Sequence, residues 1–180
     1  MERILALIEK DPKNVQARLE LVRKYIEQEN TIEARRVLME IIEINREHLE
    51  ANFLLGQICE FEEDYERAVE CFEKVIKQRP GPELKLRLGQ LYENTDEYAK
   101  ALEIYETLHK FNPKDNDILE KVAHVNRISG NADVAIECYQ KLLKNDPVNI
   151  VALTQLAELY ENKDKFLYNY FQASVSELEG

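Results

Sequence analysis

The side chains able to do covalent or metal chemistry are few: cysteines Cys59, Cys71 and Cys138, and histidines His48, His109 and His124. No two cysteines stand in the C-x-x-C spacing of a zinc or thiol redox site, and an odd set does not describe a disulfide framework. The histidines are too scattered to build a metal site or a triad with those cysteines. Each cysteine falls on a position that the periodicity below assigns to packing, which predicts buried thiols. The expectation is therefore no catalytic residue, no metal and no cofactor.

The elements that position these residues are helical. Five Gly, five Pro and no Trp stand against a large stock of Glu, Lys, Leu, Ile, Ala and Arg, the residues that lose least on entering a helix. A chain of 180 residues with 44% hydrophobic content holds one compact domain or one short repeat array. The net charge of -11 repels phosphate backbones and anionic lipid surfaces, so nucleic acid is not an expected partner. No apolar run approaches the roughly 18 residues that a membrane span needs. Met1 leads into Glu2 and Arg3 with no signal-peptide core behind them, and the chain reads as cytoplasmic, without membrane insertion.

One feature of the sequence orders all the others, an internal period. Ala34, Ala68, Ala101 and Ala135 are 34, 33 and 34 residues apart. Leu21, Leu55, Leu88, Val122 and Leu156 keep the same beat, followed by Val22, Gly56, Gly89, Ala123 and Ala157. Pro12, Pro80, Pro113 and Pro147 close the units, with Arg46 standing in once. Each unit shows two stretches of 3.6-residue periodicity broken by a short polar turn, which is a helical hairpin. Thr31, Asp64, Asp96, Asn131 and Asp164 stand at or beside the start of each second helix, where they are expected to cap its free N–H groups. Glycine at one recurring helical phase, Gly56 and Gly89, implies close helix approach, with the alanine column expected on the opposite side.

These residues resemble the tetratricopeptide repeat over nearly the whole chain. Its unit of 34 residues carries a Leu-Gly pair, an aromatic three residues later, an Ala, an aromatic and a closing Pro. Leu88-Gly89 with Tyr92, Tyr65 with Ala68 and Phe72, and Tyr98 with Ala101 and Tyr105 match that pattern. The large aromatic near the start of each unit is replaced by Arg18, Asn52, Lys85, Leu119 and Leu153, and Asn126 takes one Tyr position. The resemblance implies an all-α, right-handed solenoid of antiparallel helix pairs with four full repeats and half-repeats at both ends. A half-repeat helix at 1–12 precedes repeats at 15–48, 49–81, 82–115 and 116–149. Residues 150–180 supply a fifth first helix and an aromatic C-terminal helix, expected to cap the array or to hold a second copy through 165–178.

The resemblance also implies a function: a non-catalytic scaffold or adaptor that binds a protein or peptide in a concave groove lined by the first helices. A dedicated chaperone or assembly factor, and an interaction module of a larger protein, are the other readings. Mapped residue by residue, the groove offers Arg23, Phe53, Gln57, Phe61, Arg87, Gln90, Lys121, His124 and Arg127, with Leu19 beside Arg23. Phe53 and Phe61 are anchors for a partner or shields between hairpins. Arg87, Lys121, His124 and Arg127 form a basic wall suited to an acidic segment, unless Glu83, Glu93, Asp117 and Glu120 neutralise it. The two-carboxylate clamp of some relatives is absent, because Glu83, Arg23 and Leu54 stand where it needs Lys and two Asn.

Overall fold

The computed structural model describes residues 1–179 and divides into two compact units, 1–95 and 96–179. The first holds α1 (Glu2–Lys10), α2 (Val15–Glu27), α3 (Thr31–Ile44), α4 (Leu49–Phe61), α5 (Tyr65–Gln78) and α6 (Pro82–Asn94). The second holds α7 (Tyr98–Phe111), α8 (Asn116–Ile128), α9 (Ala132–Asn145), α10 (Ile150–Tyr160) and α11 (Lys165–Glu179). Among the described residues there is no strand. Within each unit every helix packs against the next in sequence, so the hydrophobic stripe of each is covered by its neighbours.

The recurring columns are the core. Ala34, Ala68, Ala101 and Ala135 are fully buried, as are Leu38, Phe72, Tyr105 and Tyr139 of the large column. Gly56 shows why a helix interior tolerates glycine here. A Cβ on it would lie 2.9 Å from two ring carbons of Phe72, and the three nearest atoms all belong to that ring. The residue opposite Gly56 is thus Phe72 of α5, not the alanine expected.

Capping differs from the sequence expectation. Of the five residues expected to cap second helices, only Asp164 does so, its Oδ1 accepting from the N–H groups of Phe166 at 2.9 Å and Leu167 at 3.2 Å. Thr31 lies one residue inside α3, which Asn30 caps instead. Asp64 is committed to Arg35, Asp96 accepts from the Tyr98 hydroxyl, and Asn131 donates to Asn126. Side-chain caps occur instead on first helices, where Asn14, His48, Asp115 and Asn149 accept from Ala17, Ala51, Ile118 and Ala152.

The hairpin turn has its own recurring strain. Glu29, Glu63 and Asp96 take φ of 56°, 61° and 58°, and the matching position in the next repeat is Gly130 at 82°. A left-handed residue with a Cβ costs about 1–2 kcal/mol, against about 0.5–1 kcal/mol for the extra freedom glycine loses on folding. Glu63→Gly is therefore expected to raise stability by about 0.5–1 kcal/mol, read as a higher urea midpoint with an unchanged slope. A lower midpoint would mean that the turn does not hold this backbone.

Two positions that lack the family's aromatic are buried and polar. Asn52 is fully buried, and its Nδ2 donates to the carbonyls of Arg46 and His48, each at 2.9 Å, tying the preceding turn onto α4. Arg18 is almost as buried and reaches Glu40 of α3 through Nε at 3.1 Å. At the C-terminus α11 packs on α10 through Phe171, whose ring stacks on Tyr160 at 5.9 Å.

Candidate functional site

The nine groove residues fall into two sets, six in the first unit and three in the second. In the first unit, α2, α4 and α6 carry Arg23, then Phe53, Gln57 and Phe61, then Arg87 and Gln90. On α4 the spacing of Phe53, Gln57 and Phe61 places them along one stripe.

The charges on this side are paired across neighbouring first helices. Arg23 of α2 donates to Glu50 of α4 at 2.8 Å, and this bond raises the Arg23 pKa further. Arg87 of α6 donates through Nε to Glu60 of α4, and its guanidinium lies 5.0 Å over the Phe72 ring. Phe53 meets the same ring edge-on at 6.0 Å. Phe72 is thus the floor on which Gly56, Phe53 and Arg87 converge. Phe53 is half-buried by this contact, while Phe61 is 81% exposed and Gln90 is exposed. Leu19, placed in the groove by the sequence, is buried in the core.

In the second unit Lys121, His124 and Arg127 all lie on α8 and are half-buried. Lys121 stands 5.7 Å over the Tyr105 ring, repeating the cation-on-aromatic contact of Arg87 one repeat later. Arg127 lies beside the Tyr139 hydroxyl; burial pushes that phenol's pKa up, and the nearby guanidinium acts against the rise.

Phe72 stands in the sequence only as an aromatic of the repeat pattern. A signal was present: a cation follows the large column by 15 residues at Phe72 and Arg87, and by 16 at Tyr105 and Lys121. The partners Glu50 and Glu60 lie 27 residues from Arg23 and Arg87, a separation that neither helical period marks.

All three cysteines are buried, and burial pushes each thiol pKa up, that of Cys59 to about 11. The thiolate, which is the nucleophile, is correspondingly disfavoured. Among the described residues no three His, Cys, Asp or Glu side chains are grouped to hold a metal, and no helix is long and apolar enough to cross a membrane.

The tetratricopeptide-repeat model matches residues 49–82, 82–115 and 117–149, together more than half of the chain. The structure of MamA from Desulfovibrio magneticus RS-1 is 24% identical and superposes with a TM-score of 0.70 over 92% of this chain and 94% of that one. YrrB, a TPR protein with an unusual peptide-binding site, is 16% identical with a TM-score of 0.71, covering 98% of this chain and 92% of its own. PilF of Pseudomonas aeruginosa is 17% identical with a TM-score of 0.59, over 91% of this chain and 75% of its own. Likeness at this level of identity establishes the fold class, an all-α solenoid of helix pairs. A search of curated protein sequences finds no match.

Proposed function

The chain belongs to the tetratricopeptide-repeat family, and on that premise we propose that it is a non-catalytic scaffold holding a segment of a partner protein against the first helices of its first unit. The observation that carries this reading is the division of labour on α4. The charges are paired, Arg23 with Glu50 and Arg87 with Glu60, which braces α2 against α4 and α4 against α6. Phe61 is left projecting into solvent on the stripe that also carries Phe53 and Gln57. A braced surface loses little freedom on binding, and an exposed aromatic beside amide groups suits an apolar segment whose backbone needs hydrogen-bond partners. The same reading puts the chain in the cytoplasm, a reducing compartment in which three free thiols stay unpaired.

The test is affinity capture from native extract with partners identified by mass spectrometry, followed by titration of the recovered partner. Phe61→Ala is expected to weaken that partner at least tenfold, about 1.4 kcal/mol, while leaving far-UV circular dichroism and the urea midpoint unchanged. Because the charges are internally paired, capture should survive high salt. Unchanged affinity in Phe61→Ala, or capture of nothing but further copies held through α11, would sink the reading. Arg87→Glu is a poorer probe, since it also breaks the pair to Glu60 and the contact with Phe72.

A further inference from the structure

Arg46 stands where the other units close on Pro12, Pro80, Pro113 and Pro147. Six residues beyond, Pro12, Pro113 and Pro147 are followed by Arg18, Leu119 and Leu153, and Arg46 by Asn52. The two departures are coupled. Asn52 donates to the carbonyls of Arg46 and His48, each at 2.9 Å, and Gln78 of α5 donates to that of Glu47 at 2.6 Å. Side chains from α4 and α5 thus hold a turn that a proline ring stiffens elsewhere. With the backbone fixed in this way, what Arg46 adds at this position is a cation.

That cation borders a groove between α3 and α5. Arg46, Ile42, Glu43 and Lys74 wall an open hollow of about 360 Å³, and the last three also wall a narrower slot of about 170 Å³. Leu55 of α4 and Cys71 give the slot a buried apolar floor, with the half-exposed Met39 at its rim. Leu55 is two residues, about 200° of helical turn, from both Phe53 and Gln57. The groove therefore opens on the other side of α4 from the stripe that carries Phe61.

Its cations are unspent. Arg35, Arg36 and Arg87 of the same unit are each paired with a carboxylate, whereas among the described residues Arg46, Lys74 and Arg67, the last also on the slot, form no ion pair. Lys74 and Arg67 are half-buried, so part of their hydration is lost and no acid has replaced it. A nucleic-acid backbone or an anionic membrane brings phosphate without an apolar knob for the slot, and it meets Glu43 and Glu70 on the same walls. A protein helix brings both groups, because side chains four residues apart stand about 5–6 Å from each other on one face. A large apolar residue then fills the slot, and a carboxylate one turn on reaches Arg46 and Lys74 in the adjoining hollow.

We propose that this groove is a second interaction surface, which takes a helix of a partner protein carrying a large apolar residue and, one turn on, an Asp or Glu. The surface uses none of the residues of the scaffold reading and stands or falls apart from it.

The experiment selects binders to the full chain from a phage library in which one face of a displayed helical miniprotein is randomised, and titrates the selected proteins by fluorescence anisotropy. The expected result is enrichment of a large apolar residue followed one turn on by Asp or Glu. Binding should weaken with salt and fall at least tenfold in Lys74→Gln and in Arg46→Pro, and it should be unchanged in Phe61→Ala. Arg46→Pro restores the residue of the other units. Asn45 before it is already extended, φ −143° and ψ 100°, as a residue preceding proline must be, and the Arg46 N–H takes no part in the backbone bonds of the turn. Its urea midpoint should therefore not fall, and Lys74→Gln carries the test if it does. Binders without the acid, binders indifferent to both substitutions, or no binder at all overturn the groove. Binders lost only in Phe61→Ala overturn it as well, while supporting the scaffold reading.

Discussion

Phe72→Ala is expected to lower the unfolding free energy by about 3–5 kcal/mol, because the ring is fully buried and the space it leaves is walled by two helices besides its own. Three contacts go at once: the close approach to Gly56, the edge-on contact with Phe53 and the face under Arg87. The loss should appear as a lower urea midpoint. A double-mutant cycle isolates its cause. In the native background Gly56→Ala should destabilise, since the added methyl meets carbons of a fully buried ring at 2.9 Å. In the Phe72→Ala background the same change should stabilise by up to about 1 kcal/mol, the ordinary helix preference for alanine over glycine. Equal effects in both backgrounds would mean that the ring does not explain the glycine.

The second large effect is expected for Asn52→Asp. The amide donates to two backbone carbonyls in a site without solvent, and the substitution sets carboxyl oxygens where those donors were. While the introduced group is protonated it can still donate one bond, so the loss at low pH is about 1–3 kcal/mol. Once ionised, it is an uncompensated buried charge costing about 3–5 kcal/mol. Burial holds the folded-state pKa above the unfolded value of about 4. The sign follows: the additional penalty is absent below that unfolded value and grows as pH rises through the folded one. Urea unfolding of variant and parent, compared at pH 4 and pH 8, should show the gap widening with pH. A constant gap would place Asn52 in contact with water.

The Phe72 effect and the turn at Glu63 lie on the repeat pattern, whereas the Asn52 effect arises where the chain departs from it. The departures Arg18 and Asn52 stood out in the sequence as missing aromatics. That they are buried and bonded, Asn52 to the preceding turn and Arg18 to Glu40, depends on backbone atoms and side chains whose positions no periodicity encodes. Capping departs from the expectation for a related reason. An Asp or Asn near a helix start can satisfy several neighbours, and in Asp64, Asp96 and Asn131 a nearby Arg35, Tyr98 or Asn126 takes the side chain instead.

By itself the sequence determined the helices, the beat of 34, 33 and 34 residues and the core columns, because each depends on local propensity and on which face of a helix repeats. It also determined that the cysteines are packing residues. Only the tertiary structure decided which groove residues are engaged and which are exposed. Arg23 and Arg87 are tied to Glu50 and Glu60, Leu19 is core, and Phe53 leans on Phe72, while Phe61 stands in solvent. The physical reason is distance in the chain. An ion pair across 27 residues is set by how two hairpins come to rest on each other, and a methyl's clearance from a ring 16 residues away by how the two helices of one hairpin cross; periodicity along a single helix carries no record of either.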